Sequence, residues 1–382
     1  MGKYKSYTLD DVKRNADKKL FTHISTFTGG GGSTTGLKLA GANTIYYVEF
    51  VERAIETYTA NYGDTPHHAG DIRKWDVEQT MKDLGIKRGD LDLFEGSPPC
   101  SAFSMVGSRE SGWGKEKNYS TNMKVENIED LFFDWIECLD KLNPKVAIAE
   151  NVQGISVGKA KEYLKRIVTK VESLGYIVTW DILKACDYGT PQTRPRFIMI
   201  AVREDIAEKL DIHPILLDGE VWPEKLHKNE YVTIGDALKD FPYDPDKFED
   251  YFRYKNTAFA KDYKKTYKEL YRKYVEENGY PEKVISVSEL IGQEKLFSRY
   301  VCHLNWVAPT LTVKDLQSKH HYIYEWDRPI SDYEAIRIMG LPDDYINLGL
   351  YAERCERIGR MVAPKMYEAI GKKLYENIFS KL

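Results

Sequence analysis

The sequence predicts an α/β fold in which a doubly wound, mostly parallel sheet carries a smaller domain inserted near its C-terminal end. Short β-branched apolar runs alternate with helical patterns up to residue 203, which is typical of parallel strands joined by crossover helices. This rhythm stops after 204, and helical periodicity returns in 331–341 and 351–378. We therefore expect a Rossmann-like domain over 1–203 and 326–382, with an inserted domain over 204–325.

The spacing of apolar residues predicts each element in turn. Runs of β-branched and apolar residues predict strands at 22–27, 44–49, 91–95, 146–149, 176–183 and 196–202. Helical spacing predicts helices that end at 40 after a glycine-rich turn, and at 51–62, 129–141 and 160–174. In the third of these, Leu131, Phe132, Trp135 and Ile136 recur with the period of an apolar helix face.

Composition excludes several classes of protein. The chain has 382 residues, of which 42% are apolar and 30% charged, and no apolar run approaches the ~20 residues of a membrane span. The N-terminus lacks the apolar core of a signal peptide. Five cysteines without CxxC spacing argue against a disulfide framework or a metal cluster. We expect a monomer in the cytoplasm of a bacterial or phage-infected cell, with no metal and no membrane contact.

A glycine-rich turn, FTGGGG at 27–32, follows the first predicted strand and opens a helix. Glycines let the backbone approach a ligand, and the N–H groups of the helix start face it. Glu49 ends the next strand, where a carboxylate can bind ribose hydroxyls, and Asp71 could accept from an adenine amino group or simply begin a turn. Thr34 and Thr35 stand where the dehydrogenase pattern needs its third glycine. The turn predicts a nucleotide-like cofactor; a tight turn without a ligand is the alternative.

Three further polar motifs follow or precede predicted strands. Cys100 ends GSPPC, where its thiol is either a nucleophile or a buried structural cysteine. Glu150 follows the apolar run 146–149 and could donate a proton or cap a turn. Arg194 and Arg196 precede the last strand, and alternation is expected to place both guanidiniums on one face. There they could bind a base oxygen or a phosphate, or be solvated.

In this order, FTGGGG, GSPPCSAFS, AENVQG and QTRPRFIMI resemble the ordered motifs of the C5-cytosine DNA methyltransferases. Residues 328–342 resemble the segment before the last motif of that family, and residues 357–364 resemble the last motif itself. The resemblance covers about 20–203 and 299–375. It implies a DNA (cytosine-5-)-methyltransferase of the restriction-modification type, with S-adenosyl-L-methionine as cofactor and double-stranded DNA as partner. It also implies the fold of the S-adenosylmethionine-dependent methyltransferases.

The resemblance implies a covalent mechanism on a cytosine that is flipped out of the duplex, at a cost of a few kcal/mol. The Cys100 thiolate adds to C6, Glu150 protonates N3, and C5 receives the methyl group before its proton and the thiol leave. Arg194 and Arg196 bind the base and nearby DNA, and the loop 104–127 is a closing lid. The residues implied to bind the cofactor are Phe27, Gly29, Gly31, Glu49, Asp71, Ile72, Pro99, Arg360 and Val362.

The inserted region 204–325 fits a target-recognition domain. Its segment 253–273 carries eight basic and two acidic residues in a chain of net charge −4, and could neutralise phosphates. Four tyrosines form one helical stripe there, which could instead pack on the smaller domain: Tyr263, Tyr267, Tyr271 and Tyr274.

Arg360 departs from the family, which normally has Asn at that position. Because a cation beside a sulfonium is unfavourable in a dry site, two alternatives follow. Arg360 turns away and pairs with an acid, or it binds the carboxylate of carboxy-S-adenosyl-L-methionine, and the product is 5-carboxymethylcytosine. Three other functions stay open: an RNA cytosine-5 methyltransferase, a catalytically silent DNA-binding regulator, and a nicotinamide oxidoreductase.

Overall fold

The computed structural model describes residues 4–99, 117–118, 124–125, 131–158, 160–226, 228–241, 268–279, 285–290, 292, 300–318, 320–326 and 328–382. The chain forms two compact units. The sheet unit comprises Thr8–Lys184, Pro195–Lys225 and Val362–Leu382, and the second unit comprises Met1–Tyr7, Ala185–Arg194 and Leu226–Met361. Residues 328–361 thus group with the second unit, whereas the sequence predicts that the cofactor-binding domain resumes at 326. The function of each domain stays a prediction.

The sheet unit is built on a seven-stranded, mostly parallel sheet, which confirms the predicted fold class. Its strands, in the spatial order β3-β2-β1-β4-β7-β9-β8, are β1 Phe21–Thr26, β2 Ala42–Glu49, β3 His67–Ala69, β4 Leu93–Gly96, β7 Val146–Val152, β8 Tyr176–Lys184 and β9 Pro195–Arg203. Only β9 runs antiparallel to its neighbours, β7 and β8. The six predicted strands are all present with slightly different ends, and β3 is an additional strand. A separate two-residue pair joins β5 Lys117–Asn118 to β6 Lys124–Val125.

Helices cover the sheet because alternate strand residues face opposite sides. Ile24 and Phe94 face a cluster of buried residues in which Phe94 stacks on Trp135, with ring centroids 5.1 Å apart. On β1, Phe21 stacks on Phe379 near the C-terminus, at 4.9 Å. The helices of this unit are Leu9–Ala16, Gly32–Leu39, Glu52–Tyr62, Val77–Leu84, Leu131–Leu142, Ala160–Glu172, Glu204–Lys209, Leu217–Val221 and Pro364–Asn377.

The second unit contains a small four-stranded sheet in the order β10-β11-β12-β13. Its strands are β10 Ile285–Ser286, β11 Tyr300–Cys302, β12 His321–Ile323 and β13 Arg328–Pro329. The helices among its described residues are Ile234–Leu238, Lys268–Asn278, Val287–Leu290, Val313–Gln317, Asp332–Met339 and Tyr351–Arg360. The helical pattern predicted over 351–378 is therefore two helices, because Pro364 disfavours helical geometry at the residue before it.

The described ranges lack two classes of feature. No helix among them combines the length and apolar character needed to cross a membrane. No group of three or more His, Cys, Asp or Glu side chains among these residues is arranged to hold a metal ion.

Candidate active site

Four polar motifs meet at one edge of the large sheet because of strand register. Thr26 on β1 pairs with Gly96 on β4, and Gly96 pairs with Ala149 on β7, so the residues that follow leave the sheet side by side. Since β9 is antiparallel, its first residues lie at the same edge, where Arg196 pairs with Val152. Parallel α/β sheets bind ligands at this carboxyl edge.

The glycine turn leaves this edge in a left-handed conformation. Phe27, Gly29 and Gly31 have φ values of 53°, 57° and 86°. A Cβ on Gly31 would lie 2.5 Å from the Tyr62 ring, so glycine is needed there for packing as well as for conformation. A Cβ on Gly29 would meet no atom of the described residues within 4 Å, and the Gly29 N–H donates to Glu49 Oε2 at 2.6 Å. The turn therefore presents open space beside a fixed carboxylate.

Backbone N–H groups hold the carboxylate of Glu49 at the end of β2. Its Oε1 accepts from the N–H groups of Phe50 and Val51 at 2.9 and 2.8 Å, and the residue is 7% exposed. Asp71 accepts instead from the side chain and N–H of Arg73, which hold the pKa of its carboxyl below the usual value. Ile72 is buried in the main apolar cluster.

Two hydrogen bonds join the residues Ser97, Pro98 and Pro99, here called the Pro-Pro turn, to the glycine turn and to β7. Ser97 Oγ donates to the Phe27 carbonyl at 3.1 Å, and Asn151 Nδ2 donates to the Pro98 carbonyl at 3.0 Å. The glycine turn, the Pro-Pro turn and the end of β7 are thereby linked to one another. Pro99 is partly buried, and Cys100 lies outside the described residues, as does most of the predicted lid 104–127.

Glu150 and Arg196 form a buried ion pair at this edge. The Nε of Arg196 lies 2.9 Å from Glu150 Oε1, and the two side chains are 11% and 9% exposed. Burial lowers the pKa of the Arg196 guanidinium, and the negative charge of Glu150 partly offsets that effect. The guanidinium therefore fixes the direction of the carboxyl group.

Arg194 differs from the expectation that it shares a strand face with Arg196. It precedes β9, has a φ of 27°, and is fully buried, so strand alternation does not apply to it. Its guanidinium donates to three oxygens of the second unit, the carbonyls of Leu311 and Gly359 at 3.2 and 2.8 Å and the side chain of Gln192 at 3.3 Å. The structure gives Arg194 bonds that stabilise the second unit, and its contact with a base stays a prediction.

Replacing Arg194 by Met is expected to lower the free energy of unfolding by about 3 kcal/mol, because buried oxygens lose a charged donor. Urea denaturation measures the change. Arg272→Met is the matched control, because the pair that Arg272 forms with Glu276 among the described residues is exposed and its loss should cost below about 1 kcal/mol. Unchanged stability of Arg194→Met together with lost DNA modification would instead favour a role in binding the base.

The two predicted residues of the last motif lie in different units. Arg360 ends the helix Tyr351–Arg360 and pairs with Glu356 at 2.8 Å, with half of its side chain exposed. This contact agrees with the alternative in which Arg360 pairs with an acid. Val362 is buried in the sheet unit.

A family model described as C-5 cytosine-specific DNA methylase matches residues 21–376. The chain belongs to this family. The resemblance read from the ordered motifs is thus confirmed, and the chain is an S-adenosylmethionine-dependent enzyme that methylates cytosine C5 in DNA. Its methyl donor follows from the family.

The alignments with two relatives extend over nearly the whole chain. The type II methyltransferase M.Eco47II of Escherichia coli is 28% identical, over 97% of this chain and 82% of its own. M.HpaII of Haemophilus parainfluenzae, also a type II methyltransferase, is 28% identical over 97% of this chain and 94% of its own. The Dnmt2 methyltransferase of S. pombe has the same fold at 16% identity, with a TM-score of 0.55 over 93% of this chain and 98% of that one.

The tyrosine stripe of the methylase lies partly outside the described residues, which include Tyr271 and Tyr274 but not Tyr263 and Tyr267. Tyr271 is fully buried, packs with Val301 and hydrogen-bonds His303 Nε2. At this position the stripe packs within the second unit, as the alternative interpretation expects. DNA contact by the basic residues of 253–273 stays a prediction.

Sequence reasoning did not single out two residues that the structure ties to the site edge. Asn151 bonds the Pro-Pro turn, and Glu95 is buried in β4 directly before it. For Glu95, the available signal in the sequence was a charged residue within the apolar run 91–95. No signal in the sequence indicated the hydrogen bond of Asn151, because its partner is 53 residues away.

Proposed function

We propose that this methylase flips a cytosine out of duplex DNA and uses Cys100 as nucleophile, Glu150 as proton donor and Arg196 as the partner that orients Glu150. The buried Glu150–Arg196 pair carries this proposal. It lies at the sheet edge from which the Pro-Pro turn leads to Cys100, and a hydrogen bond from the next residue, Asn151, ties that turn to β7.

The proton and electron movements balance with these groups. The Cys100 thiolate donates an electron pair to C6 while the Glu150 carboxyl gives its proton to N3, so negative charge does not build up on the ring. The bond to sulfur makes C5 nucleophilic. After C5 has gained its methyl group, water takes up the C5 proton and the C5–C6 double bond re-forms. The sulfur leaves with the electron pair of its bond to C6, and N3 returns its proton to the Glu150 carboxylate.

S-adenosylmethionine supplies the methyl group when bound, and the glycine turn fits its requirements. The open space at Gly29 admits a ligand close to the backbone, and Glu49 presents a carboxylate whose direction is fixed by three N–H donors. We assign Phe27, Gly29 and Gly31 to the methionine part and Glu49 to the ribose. For Asp71, whose carboxylate is held by Arg73, we assign the adenine together with Ile72.

Nucleoside mass spectrometry tests this function. The protein is incubated with S-adenosylmethionine and either a duplex DNA library or tRNA, and the digests are searched for 5-methylcytosine. The proposal expects the product in DNA only. Product in tRNA alone, or 5-carboxymethylcytosine formed in preference when carboxy-S-adenosylmethionine is supplied, would replace it with one of the alternatives.

Asn151→Asp is expected to reduce turnover about tenfold, since the Pro98 carbonyl loses its donor and faces a negative charge. The substitution keeps the side-chain oxygen that accepts from the Val152 N–H at 2.8 Å. Steady-state methylation assays measure turnover, and the Kd for S-adenosylhomocysteine should stay within about twofold. Ser156→Ala, which removes an exposed hydroxyl on the next turn, serves as control. An equal loss in both variants would contradict the assignment.

A further inference from the structure

A second glutamate, Glu95, is buried beside the glycine turn on the neighbouring strand β4. It is 1% exposed and lies opposite Ser25 of β1, whose hydroxyl donates to Glu95 Oε2 at 2.9 Å. The family mechanism described above does not use either residue. A buried carboxylate with so few donors is costly, so its presence at this position needs an explanation.

One basic side chain lies near the Glu95 carboxyl group. His23 Nε2 is 3.8 Å from Glu95 Oε2, and burial lowers the pKa of the His23 ring, which disfavours its charged form. The other carboxylate oxygen, Oε1, accepts no hydrogen bond from the residues that the structure describes. The buried Tyr367 hydroxyl lies close enough to Glu95 for this carboxylate to contribute, after burial itself, to raising the pKa of Tyr367. Glu95 is therefore not kept as one half of an ion pair.

The hydrogen bonds continue from Glu95 into the glycine turn. Because Ser25 donates its only hydroxyl proton to Glu95, its oxygen is left to accept, and Thr28 Oγ1 donates to it at 3.0 Å. Thr28 is the second residue of the turn, and its carbonyl accepts from the Gly31 N–H at 3.0 Å. The chain Glu95–Ser25–Thr28 thus reaches the backbone that carries Gly29.

Two glutamates consequently hold the turn from the two strands that flank β1. Glu49 on β2 accepts directly from the Gly29 N–H, and Glu95 on β4 acts through Ser25 and Thr28. Because a carboxylate only accepts hydrogen bonds, Glu95 directs the Ser25 proton toward itself and the Thr28 proton toward Ser25. A neutral hydroxyl at position 95 could also donate, so the direction of both hydrogen bonds could reverse.

We propose that Glu95 is a positioning residue for the methyl-donor site, acting through Ser25 and Thr28 on the glycine turn. This inference rests on the proposed role of that turn in binding S-adenosylmethionine. It predicts that the hydrogen-bond acceptor at position 95 contributes to donor affinity, whereas the stability of the fold does not require it.

Calorimetric titration with S-adenosylhomocysteine tests the proposal, with the melting temperature recorded for each variant. Glu95→Leu fills a similar volume without an acceptor and should raise the Kd about tenfold while the protein melts no earlier than wild type. Glu95→Gln keeps an oxygen acceptor and should bind within about twofold of wild type. Ser25→Ala and Thr28→Val should each raise the Kd about fivefold, and Glu95→Leu combined with Thr28→Val no further than Glu95→Leu alone.

Thr22→Val is the matched control. Thr22 makes a similar hydroxyl–carboxylate bond, to Asp92 Oδ2 at 2.8 Å, near the opposite ends of the same two strands. It should lower the melting temperature and leave the Kd within about twofold. Equal Kd values for wild type, Glu95→Leu and Ser25→Ala would overturn the positioning role. Absence of binding by wild type would overturn the proposed role of the turn itself, so the two failures are distinct.

Discussion

Cys100→Ser is expected to reduce methyl transfer to DNA by about 10³-fold or more, because a serine hydroxyl is far less nucleophilic at neutral pH than a thiolate. In the proposed mechanism, activation of cytosine C5 depends on the bond between the Cys100 sulfur and C6. Incorporation of labelled methyl groups into duplex DNA measures the loss. Wild type should also form a denaturation-resistant adduct with DNA that contains 5-fluorocytosine, and the variant should form none.

Cys138→Ser controls for the loss of a thiol as such. Cys138 is buried in the helix Leu131–Leu142, and burial raises the pKa of its thiol to about 12, so it is not a thiolate under assay conditions. Its replacement should leave the rate of methyl transfer within about twofold. An adduct formed by Cys100→Ser and lost in another cysteine variant would move the nucleophile elsewhere.

Glu150→Gln should lower turnover by about 10²- to 10⁴-fold, because an amide can accept a hydrogen bond but cannot donate a carboxyl proton to N3. The loss should fall on turnover and leave S-adenosylhomocysteine binding within about twofold of wild type. Single-turnover methylation at saturating DNA measures the chemical step directly.

The control for Glu150 is Glu162→Gln, an exposed position on the helix Ala160–Glu172. It should behave as wild type in every assay. Full activity of Glu150→Gln would contradict the role of Glu150 as a proton donor and leave its contact with Arg196 a structural role.

Much of the fold followed from local pattern. The alternation of apolar runs and helical spacing predicted six strands of the large sheet. It did not predict β3, because this strand has only three residues and two of them are histidines. The order of the motifs predicted the family. Because each of these motifs follows a strand, and parallel strands end on the same side of a sheet, Phe27, Ser97 and Glu150 lie at one edge.

Local sequence pattern could not predict which partners individual side chains contact. Arg194 and Arg196 are two residues apart, yet one donates to carbonyls of the second unit and the other pairs with Glu150. Spacing along a strand cannot separate these outcomes, since the backbone turns left-handed at Arg194 just before the strand begins.

The sequence by itself determined the sheet, the order of the motifs and the family, because these depend on residue types and on periodicity between near neighbours. Only the tertiary structure decided which donors meet which acceptors: Asn151 with Pro98, Ser25 with Glu95, and Arg194 with Gly359. These partners are 53, 70 and 165 residues apart in the chain. Their pairing depends on strand register and on how buried polar groups satisfy one another, which no local spacing encodes.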